Sequence, residues 1–122
     1  MGQNLRETMA PLSAGDVLGD RWTLVIVRDL MMGKTRYSQF LESPERITTN
    51  VLADRLSRMG AAGLIVKEPY QTRPKRYAYT LTEKGQALRP VLQAICRWGN
   101  ANYPETWVPP EAFMADMDPK QS

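Results

Sequence analysis

An α+β fold, mostly α, follows from three observations on this 122-residue chain. Residues 48–63, TTNVLADRLSRMGAAG, place Val51, Leu52, Leu56 and Met59 at spacings of three and four, the stripe of an amphipathic helix. LIVKEPY and YAYTL then alternate in character on either side of QTRPKR, which predicts two strands joined by a cationic turn. Two more apolar helical stretches flank this unit, RWTLVIVRDLMM before it and residues 83–103 after it. A helix sized for the major groove, followed at once by a basic-tipped hairpin, is the arrangement of a winged helix-turn-helix. One domain is expected over 1–103, with 104–122 an acidic, Pro-rich and loosely ordered tail.

Each element carries a local signal. Leu12 to Leu18 reads as a short helix capped by Ser13, and Gly19 interrupts it. Asp20 caps the next helix, whose Trp22, Leu24, Val25, Ile26, Leu30 and Met31 cover so much of its circumference that it belongs in the centre of the domain. Gly33 stands where a left-handed C-cap is usually glycine. Thr35-Arg36-Tyr37 is long enough only for a single strand bridge. Ser38 is read as the cap of a brief helix with Phe40 and Leu41 inward, stopped by Pro44. Glu45 to Ile47 forms the turn, Thr48 caps the following helix, and Gly60 and Gly63 close it. In the hairpin, Leu64 and Val66 should share one face and Ile65 and Lys67 the other, with Pro69 and Pro74 flanking the turn. Thr82 begins a last helix, from Glu83 to about Tyr103, which Pro90 should bend.

Composition excludes most chemistry. There is no histidine, which removes the commonest general base and the commonest metal ligand. The lone Cys96 excludes an intrachain disulfide framework, fits a reducing cytosol and makes a zinc site untenable. No glycine-rich phosphate cradle is present. The expectation is therefore a protein that is not an enzyme and holds no metal or cofactor. The longest apolar run, Leu24 to Val27, cannot cross a membrane, and MGQNLRETMAP lacks the charge-then-apolar order of a secretory signal, so a cytoplasmic location is expected. Charge is partitioned: residues 21–97 hold fourteen Lys and Arg against six Asp and Glu, a local surplus of +8 between acidic ends. That pattern suits a module meeting phosphates at its centre, although a solvated basic face would look the same.

The candidate binding residues fall in three groups. On the predicted recognition helix, Thr48, Thr49, Asn50, Ala53 and Asp54 lie opposite the apolar stripe, with Arg58 at an edge and Arg55 free to meet phosphates. On the wing, Gln71, Thr72, Arg73, Lys75 and Arg76 crowd the tip, where mutual repulsion is unhelpful unless an anion offsets it. Lys34, Arg36 and Ser38, before the first helix of the motif, would reach the DNA backbone on the other side. The bland reading of each group is a solvated helix face and a lysine-protected edge strand. Trp22 reads as core and Trp98 as a packing residue of a dimer helix; with Tyr103 and Trp107 they could instead line an aromatic pocket for a small effector. Cys96, among Leu92, Ile95 and Trp98, reads as an inert buried thiol.

LGDRWTLVIVRDLMMGKTRYSQF, followed by ITTNVLADRLSRMGAAGLIVKEPYQTRPKRYAYTLTEKGQAL, resembles the HxlR-type winged-helix transcriptional regulators, over roughly Val17 to Gly99. The resemblance implies a homodimeric, cytoplasmic, bacterial regulator binding double-stranded DNA at an inverted repeat. It implies a recognition helix at Thr49–Met59, a wing tip at Gln71–Arg76, and N- and C-terminal dimerisation helices using Leu12, Leu88, Val91, Leu92, Ile95 and Trp98. Many members carry a Cys-Pro pair ahead of the first long helix; Ala10-Pro11 stands there here, so thiol sensing does not carry over. The competing function is a winged-helix protein-interaction module that never touches DNA, a reading that Asp54 on the exposed face favours.

Overall fold

The Trp22 amide donates a hydrogen bond to the Asp20 carboxylate at 2.7 Å, and this cap starts α1, Arg21–Met31. The computed structural model describes residues 19–115. It continues with α2 (Tyr37–Phe40), α3 (Thr49–Ala61), the antiparallel strands β1 (Ile65–Thr72) and β2 (Lys75–Leu81), then α4 (Glu83–Gln86), α5 (Arg89–Asn102) and α6 (Glu111–Met114). Gly33, at φ +99°, turns the chain out of α1. The segment that follows makes the single bridge expected of it, and the structure shows its partner to be β2: Arg36 bridges Ala78, and the Tyr79 amide donates to the Thr35 carbonyl at 2.8 Å. The predicted helix over Leu12–Leu18 lies outside the described residues.

Four boundaries differ from the sequence reading, each for a local reason. The N-cap of α2 is Arg36 rather than Ser38, because the Gln39 side chain reaches back to accept from the Thr35 and Arg36 amides at 2.9 and 3.0 Å. Ser38 therefore sits exposed inside the first turn. Helix α3 runs on through Gly60, and Gly63 at φ +79° is the residue past its end. Both hairpin strands are longer than expected: Gln71 pairs with Arg76 and Thr72 with Lys75, while Pro69 lies inside β1 opposite Tyr77, beside a bulge at Tyr70. The last helix is two helices, because Pro90 lies in the first turn of α5, where a missing amide hydrogen costs nothing.

The face assignment at the strand entrance also changes. The Leu64 amide still bonds the Met59 carbonyl at 2.9 Å, so Leu64 belongs to the turn and strand alternation begins at Ile65. Leu64 and Ile65 are both buried and Val66 is 51% exposed. Thr82 then caps α4, accepting from the Gly85 amide at 3.1 Å. A side chain at Gly85 would overlap the Leu64 carbonyl and Leu81, so the strand-to-helix corner closes only over glycine.

The core gathers Ile26, Val27 and Leu30 of α1 with Phe40, Ile47, Leu52, Leu56 and Met59 of the helix-turn-helix, Ile65 of β1 and Leu92 of α5. Each such side chain contributes roughly 1.5–3 kcal/mol by leaving water. Phe40 meets Tyr79 edge-on at 6.3 Å, which anchors the wing to the helices. Phe113 of α6 joins the core too, and within the expected tail Pro109 and Phe113 are buried while most of 104–115 is exposed. Carbonyls of this segment accept from α5 side chains: Arg89 and Gln93 donate to Phe113 O at 3.0 and 2.9 Å, and Asn100 donates to Trp107 O at 3.0 Å. Among the described residues no helix is long and apolar enough to cross a membrane, and no acidic or sulfur cluster could hold a metal.

Candidate nucleic-acid interface

Helix α3 buries Leu52, Leu56 and Met59 and leaves its other side open. Thr48, Thr49, Asn50, Ala53, Asp54 and Arg58 are all exposed on that side. Thr48 also caps the helix, and the Tyr37 hydroxyl donates to the Thr49 carbonyl at 2.8 Å, which pins the N-terminal turn of α3 to α2. Short polar side chains are thus presented at a fixed helix end, the geometry for reaching base edges.

Arg55 departs from its predicted role as a phosphate contact. Its guanidinium turns back to Asp20 at 2.5 Å and to Asp54 at 2.6 Å, tying the recognition helix to the start of α1. Asp54 is shared with Arg58 at 3.0 Å, so the acidic residue on this face is flanked by two cations. Partial desolvation pushes the Asp20 carboxyl up, but hydrogen bonds from Arg55 and the Trp22 amide outweigh it and hold it below its ordinary 3.8.

At the wing, Thr72, Arg73, Lys75 and Arg76 are exposed, and among the described residues Arg73 and Arg76 make no ion pair. Gln71 is used differently: its amide donates to the Pro74 carbonyl at 2.9 Å and closes the turn. Lys67 and Lys75 lie against the Tyr77 ring at 4.4 and 5.8 Å, a cationic ladder below the tip. Of the proposed backbone contacts, Arg36 is exposed and stacks on Tyr70 at 4.1 Å, next to the bulge. Lys34 instead turns inward, its ammonium 3.6 Å from buried Asp29.

A polar network that the sequence reading missed holds the helix-turn-helix together. Asp29 is completely buried, and Arg28 is 6% exposed. Arg28 donates to Asp29 at 2.9 Å and forks onto Glu45 at 2.6 and 2.9 Å, while Ser43 donates to the other Asp29 oxygen. Trp107 covers the guanidinium at 4.7 Å. The turn between α2 and α3, which passes through Arg46 at φ +61°, is thereby fastened to α1. The signal available in sequence was an Arg-Asp pair inside a helix apolar on most of its circumference, where charges must find partners.

The other predicted groups separate. Leu92 is 5% exposed in the protein's own core and cannot face a partner, whereas Val91, Ile95 and Trp98 form an open apolar face of α5, with half-buried Leu88 at its start. Leu12 lies outside the described residues. The four aromatics do not assemble into a pocket: Trp98 and Tyr103 pair at 5.7 Å on the surface, Trp107 caps Arg28, and Trp22 packs beside the core. None of them lines the cleft between α3 and β1 or the one between α1, β2 and α5.

Over residues 17–106 the sequence matches the HxlR-like helix-turn-helix family. The chain belongs to that family. This HxlR-like chain is 37% identical to an uncharacterized HTH-type transcriptional regulator of Methanothermobacter thermautotrophicus, across 67% of its own length and 63% of that protein's. It superposes on the reduced form of the transcriptional regulator YodB from Bacillus subtilis with a TM-score of 0.62 at 33% identity, covering 76% of this chain and 90% of that one. The reduced form of the redox regulator HypR gives 0.69 at 30% identity, covering 75% and 92%. In this HxlR-like chain the single thiol is half-buried, and desolvation pushes Cys96 above its ordinary 9.0 against the opposing influence of Arg28 and Arg97. Thiolate chemistry is disfavoured there.

The ion pairs give this HxlR-like domain a defined acid limit. Hydrogen bonds from Arg28 hold Glu45 below its ordinary 4.5, outweighing desolvation, and Asp20 is held below 3.8. A carboxyl with a lowered folded-state value contributes stability above its unfolded value and loses it as pH falls through the folded one. Urea midpoints are therefore expected to hold from about pH 7 to about pH 5 and to fall by about pH 3. Glu45→Gln should lower the midpoint at neutral pH and make the acid fall shallower.

Proposed function

We propose that the chain is a sequence-specific transcriptional regulator, a cytoplasmic homodimer that reads an inverted-repeat operator in double-stranded DNA. The observation that carries this reading is the joint exposure of Thr49 and Asn50 at a pinned helix end and of Arg73 and Arg76 at the wing. Thr49 and Asn50 read base edges, with Ala53 and Asp54 beside them; Arg58, Arg73, Lys75 and Arg76 engage phosphates or the minor groove. Arg55 acts as a positioning residue, through its hold on Asp20. The apolar face of Val91, Ile95 and Trp98 supports pairing with a second copy, which would set two recognition helices about 34 Å apart.

Selection from genomic DNA with the purified protein tests the proposal. Enrichment of an inverted repeat with half-sites about ten base pairs apart is the expected result. No enriched sequence overturns it in favour of a protein-interaction module. Asp54, the residue that favoured that alternative, lies between Arg55 and Arg58, which offset its charge on this face.

A further inference from the structure

The cationic surplus of the middle of the chain does not all lie on the reading face. Arg28 and Arg55 are matched by carboxylates. Lys34, Arg89 and Arg97 instead line one cleft of about 880 Å³, set between the end of α1, strand β2 and the α4–α5 corner. Glu83 is the one carboxylate among its lining residues. Arg89 is engaged by the Phe113 carbonyl at 3.0 Å and lies 5.4 Å from the Phe113 ring, neither of which carries charge. Lys34 faces Asp29, a carboxylate already bonded by Arg28 and Ser43. Among the described residues Arg97 has no hydrogen-bond or ion-pair partner.

Leu30, Met31, Leu81 and Pro90 supply apolar surface to the wall of the cleft, beside the polar Thr35, Thr80, Gln86 and Gln93. A volume of this size falls in the range of small-molecule sites, which are apolar with a few convergent polar groups. No residue of α3 or of the wing tip lines it, and Gln93 and Arg97 present the flank of α5 away from Val91, Ile95 and Trp98. Neither DNA nor a second copy on that apolar face would fill it.

We propose that this cleft binds a small amphipathic carboxylic acid, with its carboxylate on Arg97 and its hydrocarbon body against Leu30, Met31 and Leu81. A planar guanidinium takes a carboxylate through two parallel hydrogen bonds, and Lys34 and Arg89 add to the attracting field. An occupant touches β2 and α5 together, which links it to the base of the wing. Any effect on DNA affinity must then be reciprocal with an effect of DNA on acid binding.

The test titrates the full chain, without DNA, with sodium octanoate and with 1-naphthoate, following backbone amide shifts by nuclear magnetic resonance. Saturable shifts at Thr80, Gln86 and Arg97 are expected, with a dissociation constant of about 1 mM or tighter. Arg97→Gln should weaken binding about tenfold, the loss of a charge-assisted hydrogen bond, whereas Arg76→Ala, outside the cleft, should leave it unchanged. Octanol and inorganic phosphate should each bind at least about tenfold more weakly than octanoate. Absence of saturable shifts, equal binding by octanol or phosphate, an Arg97→Gln variant that binds like the parent, or shifts confined to Val91, Ile95 and Trp98 would each overturn the proposal. With no DNA in the titration, its outcome is separate from that of the genomic selection.

Discussion

Replacing Arg73, Lys75 and Arg76 together with alanine is expected to weaken operator binding and to flatten its salt dependence. Each cation that neutralises a phosphate of duplex DNA contributes about 0.9 to the slope of log affinity against log salt, so the triple variant should lose up to about 2.7. All three side chains are exposed, and Arg73 and Arg76 have no ion pair among the described residues. Their removal should therefore leave the urea midpoint within the small range of a surface change. That combination separates a DNA contact from a structural role. A mobility-shift titration at several salt concentrations gives both numbers, and an unchanged affinity and slope would refute the wing assignment. Gln71 makes a useful contrast, because its amide closes the turn at Pro74: Gln71→Ala should cost wing order before it costs salt slope.

The largest expected loss of stability is at Asp29. Asp29→Ala would strand Arg28, 6% exposed, with only Glu45 as charge partner, and would leave the Ser43 hydroxyl without its acceptor. Removing one member of a buried ion pair costs about 3–5 kcal/mol, chiefly because the charge left behind is no longer compensated. For a domain of this size that is a large share of the whole folding free energy. Urea denaturation measures it directly. A loss of under about 1 kcal/mol would show that the network is dispensable. A double replacement of Arg28 and Asp29 by apolar residues should cost less than Asp29→Ala alone, since the charges it strands, Glu45 and Lys34, are partly exposed to water rather than buried. The consequence for DNA reading is indirect: Glu45 and Ser43 belong to the turn that sets α3 against α2, so a loosened turn blurs where Thr49 and Asn50 point.

The recognition helix and the wing were legible because their signals are local. Val51, Leu52, Leu56 and Met59 mark a buried stripe by spacing, Thr48 caps by chemistry, and a turn crowded with cations declares itself in the order of the residues. Boundaries were less legible. Pro90 opens a helix rather than bending one, and Gln39 rather than Ser38 satisfies the first amides of α2; both turn on which backbone groups already had partners. For Arg55, Lys34 and Leu92 the structure supplies partners within the protein that the order of residues does not reveal. A side chain can turn to either side, and the choice depends on what folding brings near it: Asp20 for Arg55, Asp29 for Lys34, the buried cluster for Leu92.

By itself the sequence determined the kind of molecule: no histidine and one cysteine leave little catalytic or metal chemistry, and periodicity with the charge partition specifies a helix, a wing and a basic middle. Periodicity and composition are properties of neighbours along the chain, so they survive without knowledge of the fold. Which cations are free was decided only by the tertiary structure. Arg28 and Arg55 are consumed by carboxylates 17 and 35 residues away and Lys34 turns to Asp29, whereas Arg89 and Arg97 reach a cleft built from three separate elements with no carboxylate partner among the described residues. A charge is available to a ligand only if folding has not already brought it a partner.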